Sequence, residues 1–142
     1  MDAIDKACEK KWIRAKGVSC HTLDALRTAS ASQWNQLHLV RVNPKGLYMD
    51  TQSTGANGAS DITPVMDQIK LMHANKRGVI GMKIFAQGRM TRPNEREESM
   101  RFAMSCSDID AIMVGLATPR QIDAAIELTN RCLAELDAAD KK

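Results

Sequence analysis

"DAIMVGLATPRQIDAAIELTNRCLAEL", residues 110–136, decides the fold of this chain. It opens on a short apolar run, turns at Gly115 and passes into a helical pattern. Thr118 and Gln121 bracket Pro119 as a capping box with proline in the first turn. Ile122, Ile126, Thr129, Leu133 and Leu136 then recur at helical spacing along one stripe. A strand handing over to a capped helix is the repeating unit of a parallel α/β sheet.

Upstream, the unit recurs. The apolar runs are "WIRAKGVS" (12–19), "LHLVRVN" (37–43) and "GVIGMKIF" (78–85). Helix signals follow each: Thr22 as a cap before Leu23 and Leu26, then Thr63-Pro64 before Met66, Ile69 and Met72. Asn94 precedes Glu95, Glu97 and Glu98, acids that suit the positive end of a helix dipole. A further helix over about residues 2–10 precedes the first strand. The strand runs are apolar with little alternation, as strands of a parallel sheet are. The expectation is an α/β chain of four parallel strand–helix units in a single domain, residues 1–142.

Composition sets the class. At 142 residues the chain can bury a real core, and 44% apolar with 26% charged residues is ordinary for a globular protein. A formal charge of +3, with Lys and Arg scattered, speaks against nucleic acid as a partner. Only 4% is aromatic, which leaves little for stacking bases. No run approaches the roughly 20 apolar residues of a membrane span, and "MDAIDKACEKKW" has no apolar signal core. A cytoplasmic chain without a membrane partner is expected. Cys8, Cys20, Cys106 and Cys132 are far apart and form no C-x-x-C pair, so reduced thiols are expected in preference to a metal site.

In parallel α/β folds, ligands bind at the carboxyl ends of the strands. Here those ends carry Ser19-Cys20-His21, Asn43-Pro44-Lys45, Met82-Lys83-Ile84 and Gly115-Leu116-Ala117-Thr118. Cys20 beside His21 invites a thiolate–imidazole pair, but neighbours in an extended strand point to opposite faces. Ser19 reads equally as a turn cap and Met82 as core filler. Lys83, inside an otherwise apolar strand, needs a partner or an anion for its ammonium. The turn at Gly115–Thr118 offers backbone N–H groups and a helix dipole to a phosphate, or is an ordinary tight turn. Neither G-x-G-x-x-G nor G-x-x-x-x-G-K occurs. The connection "NPKGLYMDTQSTGANGASD" (43–61) is far longer than usual, and reads either as a lid over a site or as a disordered segment.

"IRAKGVSCHTLDAL", "GVIGMKIFAQGRM", "REESMRFAM" and "DAIMVGLATPRQIDAAI" resemble, in order, landmarks of the aldo/keto reductase family. The resemblance covers roughly residues 10 to 130 and implies a partial (β/α)8 TIM barrel, its fifth to eighth strand–helix units. It implies hydride transfer between NADPH or NADH and a small carbonyl substrate. The family's G-V-S-N falls on Gly17, Val18, Ser19 and Cys20, where Ser and Asn hold the nicotinamide carboxamide; Cys20 replaces that Asn. Its stacking position, frequently Tyr, falls on Met82, with Lys83 next, as in members reading A-M-K-P-L. The loop ending at Arg89 lies where the family wraps the pyrophosphate. Gly115, Leu116, Ala117 and Thr118 match its adenosine-side phosphate turn. Its Arg for the 2′-phosphate falls near Gln121, its adenine Asn near Ala125, and its sixth-strand Gln near Leu39. The family's catalytic Asp, Tyr, Lys and His belong to strands that these 142 residues do not match, and Tyr48, the single tyrosine, lies in the long loop. The resemblance therefore implies a fragment or split subunit, completed by an N-terminal half or by homo-oligomerisation. The other reading is a non-catalytic half-barrel that binds a nucleotide or a partner protein.

Overall fold

The computed structural model describes residues 2–49 and 60–139. Its elements run α1 (Asp2–Glu9), β1 (Gly17–Ser19), α2 (Leu23–Ala31), β2 (Leu37–Arg41), α3 (Thr63–Ala74), β3 (Gly78–Met82), α4 (Pro93–Met104), β4 (Ala111–Met113) and α5 (Pro119–Ala139). The four strands form one parallel sheet in sequence order, β1-β2-β3-β4. The chain is therefore an α/β protein with a four-stranded parallel sheet and five helices, as the strand–helix alternation predicts. The middle of the connection at 43–61, read as a lid or a disordered segment, lies outside the described residues.

Local chemistry explains the boundaries. The Thr22 hydroxyl accepts the Ala25 N–H at 3.2 Å and starts α2 as expected. At α4 the cap is Arg92, not Asn94; Pro93 takes the first turn, and the Glu95 carboxylate accepts the Arg92 N–H at 3.3 Å. At α3 the cap is Ile62, one residue before Thr63, and the Asp61 carboxylate accepts the Thr63 N–H at 2.9 Å. Gly17 is required by close approach: a Cβ there would stand 2.2 Å from the Leu37 carbonyl oxygen.

Side chains alternate across the sheet. Val18, Val40, Val79 and Ile112 face the helices and join Leu26, Val65, Ile69, Met72 and Ala103 in the main core. Met100, Leu128 and Cys132 pack a second cluster under Val114, joining α4 to α5. Right-handed crossovers between strands laid down in sequence order put α2, α3 and α4 on one side, and α5 packs there against α4. The opposite face carries Ser19, Leu39, Ile80 and Ala111 in one row of the register, and Arg41, Met82 and Met113 in the next. Leu37, Leu39 and Ile80 belong to neither core cluster.

The α5 stripe is a correction to the sequence reading. The helix buries Leu128 and Cys132, while Ile122, Ile126 and Leu133 stay 46%, 54% and 46% exposed. The helix carries apolar residues on two adjacent faces, and α4 covers only one of them.

Candidate functional site at the ends of β3 and β4

Beyond the carboxyl ends of β3 and β4 lies a cavity of about 720 Å³. Met82, Leu116 and Phe85 supply apolar walls, Lys83 and Arg96 supply charge, and Gly115 opens one side. Among the described residues, no carboxylate lines it.

The wall after β3 is shaped by backbone conformation. Lys83, Ala86 and Gln87 take positive φ angles of 55°, 47° and 56°, and Gly88 follows at 85°. For side chains other than glycine this region is sparsely populated, and it bends the chain sharply. It also corrects the reading of Lys83. The strand ends at Met82, and Lys83 is the turn residue that follows, half-buried at the cavity rim. A left-handed residue cannot continue the ladder. The turn is tied down by the Ser99 hydroxyl, which donates to the Ile84 carbonyl at 2.5 Å, and by Arg96 Nε, which donates to the Met90 carbonyl at 2.8 Å. The Arg96 guanidinium lies 5.7 Å from the centroid of Phe85.

The wall after β4 is the predicted capped turn. The Thr118 hydroxyl accepts the Gln121 N–H at 3.3 Å, and the Gln121 side-chain oxygen accepts the Ala117 N–H at 2.7 Å. The N–H groups of Gly115, Leu116 and Thr118 have no partner among the described residues. A Cβ on Gly115 would meet nothing within 4 Å, so the space above this turn is open. Such a turn offers donors and the positive end of a 21-residue helix to an anion.

Of the residues singled out in the sequence, Met82, Lys83, Gly115, Leu116 and Gln121 line this cavity. Thr118 shapes it as the cap. Ser19 stands on β1, two strands from β3 on the same face, and its hydroxyl donates toward the Met82 sulfur at 3.9 Å. Cys20 is not brought to the cavity. It is 6% exposed and belongs to the main core, while His21 next to it is exposed. Arg89 is also outside the cavity lining, with its guanidinium 5.7 Å from the Tyr48 ring. The His21 pKa is held below the ordinary imidazole value by the Arg41 charge first, then by burial and by Lys83. Arg41 and Lys83, from the ends of β2 and β3, thus make the surroundings of His21 electropositive.

Arg96 and Arg41 were not legible as site residues. Arg96 is one basic residue in an acidic first turn, and it reaches the cavity because the bend at 83–88 folds back over α4. Arg41 closes an apolar strand; it faces the open side of the sheet and donates to the Tyr48 carbonyl at 3.1 Å. Asn43, at the end of the same run, is structural: buried, it donates to the Leu47 carbonyl at 2.7 Å and accepts the Leu47 N–H at 3.0 Å. Lys45 pairs with Glu95 at 2.7 Å, which lowers the Glu95 pKa.

No protein-family model, curated protein or solved structure matches this chain. Among the described residues, no helix is long and apolar enough to cross a membrane.

Proposed function

We propose that this chain is the cofactor-binding half of an aldo/keto reductase-like oxidoreductase, built as the fifth to eighth units of a (β/α)8 barrel. The observation that carries the reading is the cavity beyond β3 and β4. The N–H groups of Gly115, Leu116 and Thr118, unpartnered among the described residues, lie on the turn beside a space rimmed by Lys83 and Arg96 and lined by no described carboxylate. That donor set suits the phosphates of NADPH or NADH. When bound, the cofactor supplies a hydride for a carbonyl carbon.

The chain's own residues divide the binding work. Lys83 and Arg96 neutralise phosphate charge, and the Gly115–Thr118 turn orients it through backbone donors. Met82 offers a polarizable thioether to an aromatic ring, and Ser19, whose hydroxyl lies 3.9 Å from its sulfur, offers a hydroxyl to a carboxamide. Cys20, buried in the core, contributes no contact, and Arg96 takes the part that the sequence gives to Arg89. Proton donation to the substrate falls outside this set, because no Tyr, His or carboxylate among the described residues lines the cavity. The missing acid–base groups would come from an N-terminal half. The same observation favours a second reading, a half-barrel that binds a nucleotide without turning it over.

A titration of the full chain with NADPH and with NADH, followed by cofactor fluorescence, tests the proposal. Saturable binding is expected, weakened about 10- to 100-fold by Lys83→Met or Arg96→Met, since a hydrogen bond to a charged group contributes about 1.5–3 kcal/mol. Cys20→Ser should leave it unchanged. A folded chain that does not saturate with either cofactor sinks the proposal. ADP binding as tightly as NADPH would favour the second reading.

A further inference from the structure

The bend after β3 carries one cation of the cavity, Lys83, and touches the other, Arg96. Its backbone conformation is a costly one. Lys83, Ala86 and Gln87 hold φ angles of 55°, 47° and 56°. Side chains other than glycine keep this region only where the surroundings hold them there. The hydrogen bonds inside the bend are local. The Ala86 N–H donates to the Lys83 carbonyl at 2.8 Å, the Gly88 N–H to Phe85 at 2.9 Å and the Arg89 N–H to Ala86 at 3.1 Å.

The hold from outside comes from α4. Arg96 and Ser99 stand three residues apart on that helix, hence on one face. Arg96 Nε donates to the Met90 carbonyl, and the Ser99 hydroxyl donates to the Ile84 carbonyl at 2.5 Å. Two other mid-helix hydroxyls behave differently. Thr28 and Thr129 return theirs to the carbonyls four residues back, Asp24 and Ala125, as is usual within a helix. Ser99 reaches out of its helix to a residue 15 positions earlier. Ile84 and Ser99 are both 0% exposed, and among the described residues no other group donates to the Ile84 carbonyl. Without the hydroxyl that carbonyl is buried and unsatisfied, and turning its peptide unit is the direct relief. That unit joins Ile84 to Phe85. Lys83 precedes it, and Phe85, whose ring centroid lies 5.7 Å from the Arg96 guanidinium, ends it.

We infer that Ser99 is a positioning residue for the nucleotide site, fixing the bend that aims Lys83 and the Phe85–Arg96 pair at the phosphates. The inference rests on the nucleotide reading of the cavity. Ser99 does not line the cavity, so its influence passes through residues that do. Lys83, Ile84 and Phe85 are consecutive lining residues, and all three shift when the Ile84 peptide turns. The charge stays in place of sequence; its fixed direction is lost. Lost pre-organisation reads out as affinity.

Titration of the full chain with NADPH and NADH, followed by cofactor fluorescence, is run beside urea unfolding of the same variants. Ser99→Ala should weaken binding about tenfold, and that loss should shrink to about twofold in a Lys83→Met background, since residues acting as one unit do not add. The loss of urea stability should be equal in both backgrounds. A Ser99→Ala chain that binds like the parent, or losses that multiply in full, would overturn the inference and leave a serine that serves stability alone. Hydrogen exchange without nucleotide is the second readout. The amides of Ala86, Gly88 and Arg89 should exchange about tenfold faster in Ser99→Ala, relative to those of β2. Bend amides that merely keep pace with β2 would also overturn it. Where the alanine chain fails to fold, Ser99→Cys, which keeps the volume and a weaker donor, takes the same tests. A folded parent that saturates with neither cofactor overturns the reading of the cavity itself. That outcome is distinct from a parent that binds and a serine that makes no difference to binding.

Discussion

The two faces of the sheet are built from neighbouring residues of the same strands, yet they differ in kind. Toward the helices stand Val18, Val40, Val79 and Ile112, locked among side chains from α2 to α5. Toward the open side stand Ser19, Leu39, Ile80 and Arg41, one residue along in each case and outside both core clusters. Hydrophobicity does not separate the faces, since Leu39 and Ile80 are as apolar as Val40 and Val79. What separates them is whether the topology lays a helix over them. A strand pattern specifies two buried faces; sequence-order topology covers one of them.

The largest expected effect breaks that contrast directly. Ile69→Ala removes a fully buried side chain from α3, and should cost about 2–5 kcal/mol in urea unfolding followed by circular dichroism. Ile80→Ala, on the open face, should cost well below that in the monomer. Equal losses would mean that both faces are covered within one chain.

A second contrast compares two glycines, Gly17 at the start of β1 and Gly115 in the turn after β4. Gly17→Ala forces a Cβ against the Leu37 backbone and should destabilise by about 1–3 kcal/mol, as overpacking does. Gly115→Ala meets open space and should fall within about 0.5 kcal/mol of the parent. A large loss at Gly115 would show that the turn after β4 is closed over.

The smallest effect sharpens the covered face alone. His38 is 1% exposed on the helix side, and neither ring nitrogen has a hydrogen-bond partner. Burial first, and then the Arg77 charge, lower its pKa below the unfolded value of about 6.5. The unfolded chain therefore binds a proton that the folded chain refuses. Stability should be full above about pH 6.5 and fall as the pH drops below it. His38→Leu should flatten this part of the pH–stability curve, as read by urea midpoints from neutral to mildly acidic pH. An unchanged slope would mean that other groups carry the acid sensitivity.

Much of the site was legible because its signals are local. The capped turn at Thr118–Gln121 follows from residue types three apart, and the hydrogen bonds there are those the pattern calls for. Met82, Lys83, Gly115 and Leu116 were placed on one rim by the rule that ligands meet strand carboxyl ends, and the cavity includes them. Arg96 escaped notice because its approach depends on a left-handed bend a dozen residues upstream, and positive φ at Lys83, Ala86 and Gln87 has no residue-type signal. Cys20 was drawn to the rim by its neighbours in sequence; extended geometry turned its side chain into the core. The cap of α4 shifted from Asn94 to Arg92 because Glu95 supplies the acceptor from inside the helix.

By itself the sequence determined the alternation of strands and helices, the parallel sense that such alternation entails, and the apolar stripes available for burial. Those follow from periodicity and local hydrogen bonding, which act over a few residues. The tertiary structure alone decided which stripe of α5 is buried, which face of the sheet stays open, and which charges converge beyond β3 and β4. Each of these depends on what another element brings across space. Ile122 and Leu128 are alike in composition and stand six residues apart on one helix; the position of α4 buries the second and leaves the first in water.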